Sequence, residues 1–156
     1  MFIYLLIILV LVGLDQLTKY LAIVHLMGSP SITFIPKILN FTYVENRGAA
    51  WGMFSNSTFM LSIVSLVIMV LIMYLIIKRD KYFTFKYIDY VLVLIFSGAL
   101  GNFLDRFFRT YVVDFLEFGF MDFPVFNFAD VYVVVGAFLM AIITLFLEKE
   151  NEKDDK

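Results

Sequence analysis

Residues 59–77 pass without a single charged side chain, and that run constrains the fold more than any other feature of the chain. About 20 apolar residues match the hydrocarbon thickness of a bilayer, where a helix satisfies its own backbone hydrogen bonds. Three more stretches read the same way: residues 2–26, interrupted by Asp15, Gln16 and Lys19, then roughly 87–104 and 131–147. With 62% hydrophobic and only 17% charged residues in 156, the chain reads as an all-α integral membrane protein of four transmembrane helices. That length leaves no room for a soluble catalytic domain, so any active site must be built from spans and loops in a single membrane domain, 1–156. A cleaved leader is not expected, because Asp15-Gln16-Leu17-Thr18-Lys19 follows the first apolar run where a small-residue cleavage site would stand.

Charge orients the spans. Lys78, Arg79, Lys81 and Lys86 crowd one short loop, 78–86, and mark it as cytoplasmic. Both termini are then cytoplasmic, including the charged tail 148–156, and residues 28–57 and 105–130 form the outer connections. In the first of these, Ile32-Thr33-Phe34-Ile35 and Ile38-Leu39-Asn40-Phe41-Thr42-Tyr43-Val44 are rich in β-branched and aromatic residues, which predicts a small extracytoplasmic β element of two strands between helices 1 and 2. The segment Glu45-Asn46-Arg47-Gly48-Ala49-Ala50-Trp51-Gly52 follows. It is open to two readings: a glycine turn with Trp51 as an interfacial anchor, or a place where backbone approaches a ligand closely. A net charge of -2 without a basic stripe argues against a nucleic-acid partner. No cysteine and a single histidine, His25, leave no thiol chemistry and no histidine-rich metal site unless carboxylates supply the ligands, and the acid–base chemistry expected below needs neither metal nor cofactor.

This topology gathers the unusual polar residues at one membrane face. Asp15 lies in the outer half of the first span; it either pairs with Lys19, four residues on, with Lys19 snorkelling outward, or has a functional role. Asn102, Asp105 and Arg106 close the third helix at i, i+3 and i+4, where Arg106 is the natural partner for Asp105. Asp114 has no neighbouring cation in Tyr111-Val112-Val113-Asp114-Phe115-Leu116. Asp130 reads alone as an N-cap of the fourth helix. If Asp114 and Asp130 meet, however, they cannot both ionise, and the pair shares one proton, giving an acid beside a base. That is the requirement of an aspartic hydrolase. A proton-coupled carrier would instead spread its acids through the membrane depth, and a scaffold would tolerate Asp114→Asn and Asp130→Asn.

Five motifs occur in order: Asp15-Gln16-Leu17-Thr18-Lys19, Asn46-Arg47-Gly48-Ala49-Ala50-Trp51-Gly52, Gly98-Ala99-Leu100-Gly101-Asn102-Phe103-Leu104-Asp105-Arg106, Val112-Val113-Asp114-Phe115 and Phe126-Asn127-Phe128-Ala129-Asp130. Together they resemble the motifs of lipoprotein signal peptidase, the type II signal peptidase of bacteria. The resemblance implies an aspartic endopeptidase of the bacterial cytoplasmic membrane that cuts prolipoproteins before a diacylglyceryl-modified cysteine, at the outer face. It implies a catalytic pair of Asp114 and Asp130, supported by Asp15, Asn46, Asn102, Asp105, Arg106 and Asn127. The β element and the loop holding Gly48 and Trp51 would cradle the substrate, and Lys19 or Arg106 would meet its polar atoms. Its partners would be prolipoproteins and membrane lipids, and a complete four-span site suggests that a monomer suffices. One departure is visible: Val131 follows Asp130 where the family usually has serine.

Overall fold

Each apolar run forms a helix, because in hydrocarbon only internal hydrogen bonds can satisfy the backbone. A computed structural model describes residues 2–48, 57–83, 85 and 87–147. Trp51, Lys86 and the tail 148–156 lie outside the described residues. Helix α1 spans Phe2–Leu26 and α2 spans Thr58–Ile77; a one-turn α3, Arg79–Tyr82, precedes α4, Ile88–Arg109. Helix α5, Phe128–Ile142, ends in a π-helical turn, Ile143–Leu147. Four of these segments are long and apolar enough to cross a membrane. Helix α4 is the hub, packing against α1, α2 and α5, while α1, α2 and α5 leave large side chains such as Leu9, Val70 and Phe138 exposed on their outer surfaces.

Close packing of α4 on α5 depends on glycine. A Cβ built on Gly98 would stand 2.3 Å from the Ala129 carbonyl oxygen, a backbone atom that cannot turn aside. Small residues let membrane helices approach to this degree. Gly98→Ala is therefore expected to force the start of α5 away from α4 and to lower stability by about 1–3 kcal/mol. Thermal unfolding of the detergent-solubilised variant measures this, and an unchanged midpoint would refute the tight contact.

Two expected boundaries move. Helix α4 runs on to Arg109, past the expected end at Leu104, and stops where Thr110 adopts a left-handed φ of 65° while its N–H still reaches the Arg106 carbonyl. Helix α5 begins at Phe128 rather than at residue 131, because Asn127 caps it. The β element has three strands, not two. Strands β1 (Ile32–Ile35), β2 (Leu39–Asn46) and β3 (Val112–Phe118) form an antiparallel sheet in that order. Strand β3 comes from the connection between α4 and α5 and pairs Val112 with Asn46 and Phe118 with Leu39. Its almost continuous apolar run gives no alternation to announce a strand. The same pairing carries the end of β2 and the middle of β3 to the end of α4 and the start of α5.

At the opposite end of the bundle, a polar cluster ties the helices together. Asp89 on α4, 3% exposed, accepts from the Tyr4 hydroxyl of α1 at 2.7 Å and from Arg79 at 2.7 Å. This pins α1, the short connecting helix and α4 at the end expected to face the cytoplasm.

Candidate active site

Strand β3 buries Asp114 with the residues around it, and the first turn of α5 carries Asp130. Asp130 is not the N-cap expected from the sequence. Asn127 is the cap and Asp130 is the third residue of a reciprocal capping box: Asn127 Oδ1 accepts from the Asp130 N–H at 3.0 Å, and Asp130 Oδ2 accepts from the Asn127 N–H at 3.1 Å. The box accounts for one oxygen of Asp130 and leaves the other facing α4, where Oδ1 accepts from Asn102 Nδ2 at 2.7 Å. Asp114 is held from both sides. Its Oδ1 accepts from Asn127 Nδ2 at 2.6 Å and its Oδ2 from Asn46 Nδ2 at 2.9 Å.

Each of the three amides is locked in orientation by an unambiguous donor on its oxygen. Asn127 is locked by the Asp130 N–H, and Asn46 by the Gly48 N–H at 3.0 Å. Asn102 Oδ1 accepts from the Lys19 ammonium at 3.0 Å and from Asn127 Nδ2 at 3.2 Å. Every amide therefore turns its NH2 toward a carboxylate. Gly48 also offers its carbonyl to Arg106 Nη2 at 3.4 Å.

Lys19 does not snorkel. It is fully buried, and its three donors are matched by Asp15 Oδ2, Asp105 Oδ2 and Asn102 Oδ1, each at 3.0 Å. The expected pairing of Asp15 with Lys19 is present, but inside the bundle. Asp15 Oδ1 accepts from the Ala129 N–H at 3.0 Å, which joins α1 to the first turn of α5. Gly101 makes room for this carboxylate, since a Cβ there would lie 2.6 Å from Asp15 Oδ2. The expected Asp105–Arg106 pair does not form. Asp105 is bound by Lys19, by Arg109 one turn further along α4, by Gln16 Nε2 at 3.2 Å and by the Val113 N–H at 3.2 Å. The helix turns Arg106 away from this group toward the cavity.

Asp114 and Asp130 line a single cavity of about 600 Å³ with Asn46, Asn102 and Arg106. Its remaining wall is apolar and includes Phe118, Phe123, Phe126, Val131 and Val134. Arg106 is loosely held there: Nη1 and Nη2 reach the Asn102 and Gly48 carbonyls at 3.4 Å, and the buried Nε has no hydrogen-bond partner among the described residues. Burial, and next the negative charge of Asp130, push the Asp114 carboxyl up to about 7, against the opposing pull of the Asn46 and Asn127 hydrogen bonds and of Lys19. One acid is thus poised to keep a proton near neutrality beside another carboxylate.

Sequence reasoning named Asp15, Lys19, Asn46, Gly48, Asn102, Asp105, Arg106, Asp114, Asn127 and Asp130, and the fold gathers all of them around this cavity and the Lys19 cluster. It missed Gln16 and Arg109, which join each other at 3.2 Å and together cover Asp105. The i,i+4 spacing of Asp105 and Arg109 was the available signal, hidden by ending the helix at Leu104.

A family model described as signal peptidase II matches residues 7–146. A lipoprotein signal peptidase of Caldanaerobacter subterraneus subsp. tengcongensis is 43% identical over 136 residues, covering 86% of this chain and 90% of its own length. One from Enterococcus faecalis is 40% identical over 156 residues, covering 99% and 94%. A solved structure described as a bacterial membrane enzyme superposes with a TM-score of 0.84 at 35% identity, over 97% of this chain and 92% of that one.

Proposed function

The chain belongs to the signal peptidase II family, and from that premise we propose that it is an aspartic endopeptidase whose acid and base are Asp114 and Asp130. Membership makes it a membrane peptidase that cleaves signal peptides from prolipoproteins. Our reading adds the catalytic type, the outer face of the bacterial cytoplasmic membrane with both termini inside, and a substrate carrying diacylglyceryl on the cysteine after the cut. The observation that carries it is the cavity shared by buried Asp114 and half-buried Asp130, each presented with amide donors and neither in an ion pair among the described residues.

In this mechanism the ionised carboxylate takes a proton from water as the water oxygen attacks the scissile carbonyl carbon, while the protonated carboxyl gives its proton to the carbonyl oxygen. The resulting diol collapses, the C–N bond breaks, and the amine leaves with a proton returned through the pair. Arg106, whose Nε–H has no partner among the described residues and which makes two long contacts, serves to hold polar substrate atoms, and the apolar wall receives the signal helix and acyl chains. Asp15, Lys19, Asp105, Asn46, Asn102 and Asn127 act by positioning. The second outer connection presents this cavity where a lipidated cysteine anchored in the outer leaflet would hold its peptide bond. One chain contains the whole arrangement, so a monomer suffices.

The test is cleavage by purified protein of a prolipoprotein peptide bearing a diacylglyceryl cysteine, beside the same peptide unmodified. Cleavage of the lipidated peptide alone is expected; equal cleavage of both would remove the lipid requirement, and cleavage of neither would remove the reading.

The pH profile gives a signed expectation. Below about 7 Asp114 keeps its proton; above it the acid is lost, so kcat/KM should fall about tenfold per pH unit on that side. The same raised value means that the folded chain holds a proton that the unfolded chain releases, so stability should decline as pH rises from about 4 through 7. Asn46→Ala removes a hydrogen bond that favours the charged form of Asp114, so its alkaline limb should move to higher pH at a lower maximal rate. A limb that stays in place or moves down would contradict the assignment of that limb to Asp114.

A further inference from the structure

A second cavity, of about 340 Å³, lies outside the machinery described so far. Thr18, Leu21, Ala22, His25 and Leu26 form one stripe of α1 at i, i+3, i+4, i+7 and i+8, and Phe41, Phe115 and Phe128 close the other side. Strand alternation separates it from the reaction: Asp114 faces one cavity and Phe115 the other.

We propose that this groove is a binding site for one acyl chain of a bilayer phospholipid, running along α1 behind the strand that carries Asp114. Its direction fits. From Thr18 to Leu26 the groove follows the axis of a bilayer-crossing helix for about 12 Å, parallel to the lipid chains around it. Its chemistry fits as well. The Thr18 hydroxyl is spent on the Leu14 and Asp15 carbonyls, both at 2.9 Å, which leaves the exposed His25 imidazole at the outer end as the remaining polar side chain. A cavity with so few polar partners does not hold water well. It is also continuous with the lipid-facing surface, because Leu17, Leu21 and Val24 on the same stretch of α1 are exposed. The reacting substrate is not the occupant, since the dyad cavity supplies its own apolar wall on the other face of β3.

The consequence is mechanical. Phe115 follows Asp114 and Phe128 follows Asn127, and their rings lie 6.0 Å apart at the end of the groove. A chain seated there braces the segment carrying the two groups from behind.

Photolabelling tests this without reference to activity. The full chain is reconstituted in phosphatidylglycerol vesicles doped with a phospholipid carrying a diazirine midway along one acyl chain, irradiated, and mapped by peptide mass spectrometry. Labelling of Phe115, which is 5% exposed and so out of reach of bulk lipid, and of the half-buried Phe128 beside it is expected. Ala22→Phe fills the groove and should lower that labelling about tenfold while leaving the exposed face of α2 unchanged. Leu21→Trp, which narrows the groove from its lipid side, replaces it if that variant does not fold. Label confined to Leu17, Val24 and other lipid-facing residues in the wild type would overturn the proposal, as would unchanged labelling of Phe115 and Phe128 in a folded, groove-filling variant.

Discussion

Asp130→Asn is expected to lower cleavage by about 10³-fold or more, because in the proposed mechanism it removes one of the two groups that move protons. Asp114→Asn is expected to do the same. The substitution is nearly isosteric, so any cost beyond the lost proton chemistry lies in the hydrogen bonds. Asp130 offers acceptors on both oxygens, to the Asn127 N–H and to Asn102 Nδ2. A protonated carboxylic acid keeps accepting on its hydroxyl oxygen, whereas the NH2 of asparagine cannot accept at all. Asn102 cannot turn over to relieve the clash, since its oxygen is held by Lys19. The amide therefore loses the proton chemistry and sets donor against donor. Single-turnover cleavage of the lipidated peptide, with a thermal midpoint measured in parallel, separates the two effects. Retained cleavage in either variant would sink the assignment of the pair; lost cleavage with a fold close to wild type supports it.

Lys19→Met should destabilise the chain by about 3–5 kcal/mol, since it leaves buried carboxylates without their shared cation. Asp15 and Asp105 are both fully buried, and Arg109 remains to compensate only Asp105. Asn102 loses the bond that fixes its amide, so cleavage should fall as well. The second variant that interprets the result is Lys19→Met with Asp15→Asn, which removes the stranded charge. Recovery of most of the lost thermal stability in the double variant is expected. A double variant no more stable than Lys19→Met would show that the lysine acts through something other than charge compensation.

Much of the site was legible because its residues are costly where they stand. Asp15, Lys19, Asn102, Asp105, Asp114 and Asp130 are polar groups embedded in apolar runs, and the penalty for burying them makes each conspicuous from composition alone. Their partners were not legible. Asp105 is adjacent to Arg106 in the chain, yet a helix places consecutive side chains about 100° apart, so Arg106 swings to the cavity while Arg109, one turn on, returns to Asp105. Lys19 looked free to reach the interface. Enclosure by α4 and the start of α5 turned it inward, where three acceptors await its three donors.

By itself the sequence determined the number of spans, their order and that the polar groups gather at one end of the bundle, because these depend on local hydropathy and on where the spans begin and end. The tertiary structure alone decided that β3 joins the sheet of the connection between α1 and α2, that Asn127 rather than Asp130 caps α5, and that Asp114 and Asp130 open into one cavity. Those outcomes depend on which segments meet after α4 and α5 close on Gly98, and a strand partner far along the chain leaves no period in the sequence that it completes.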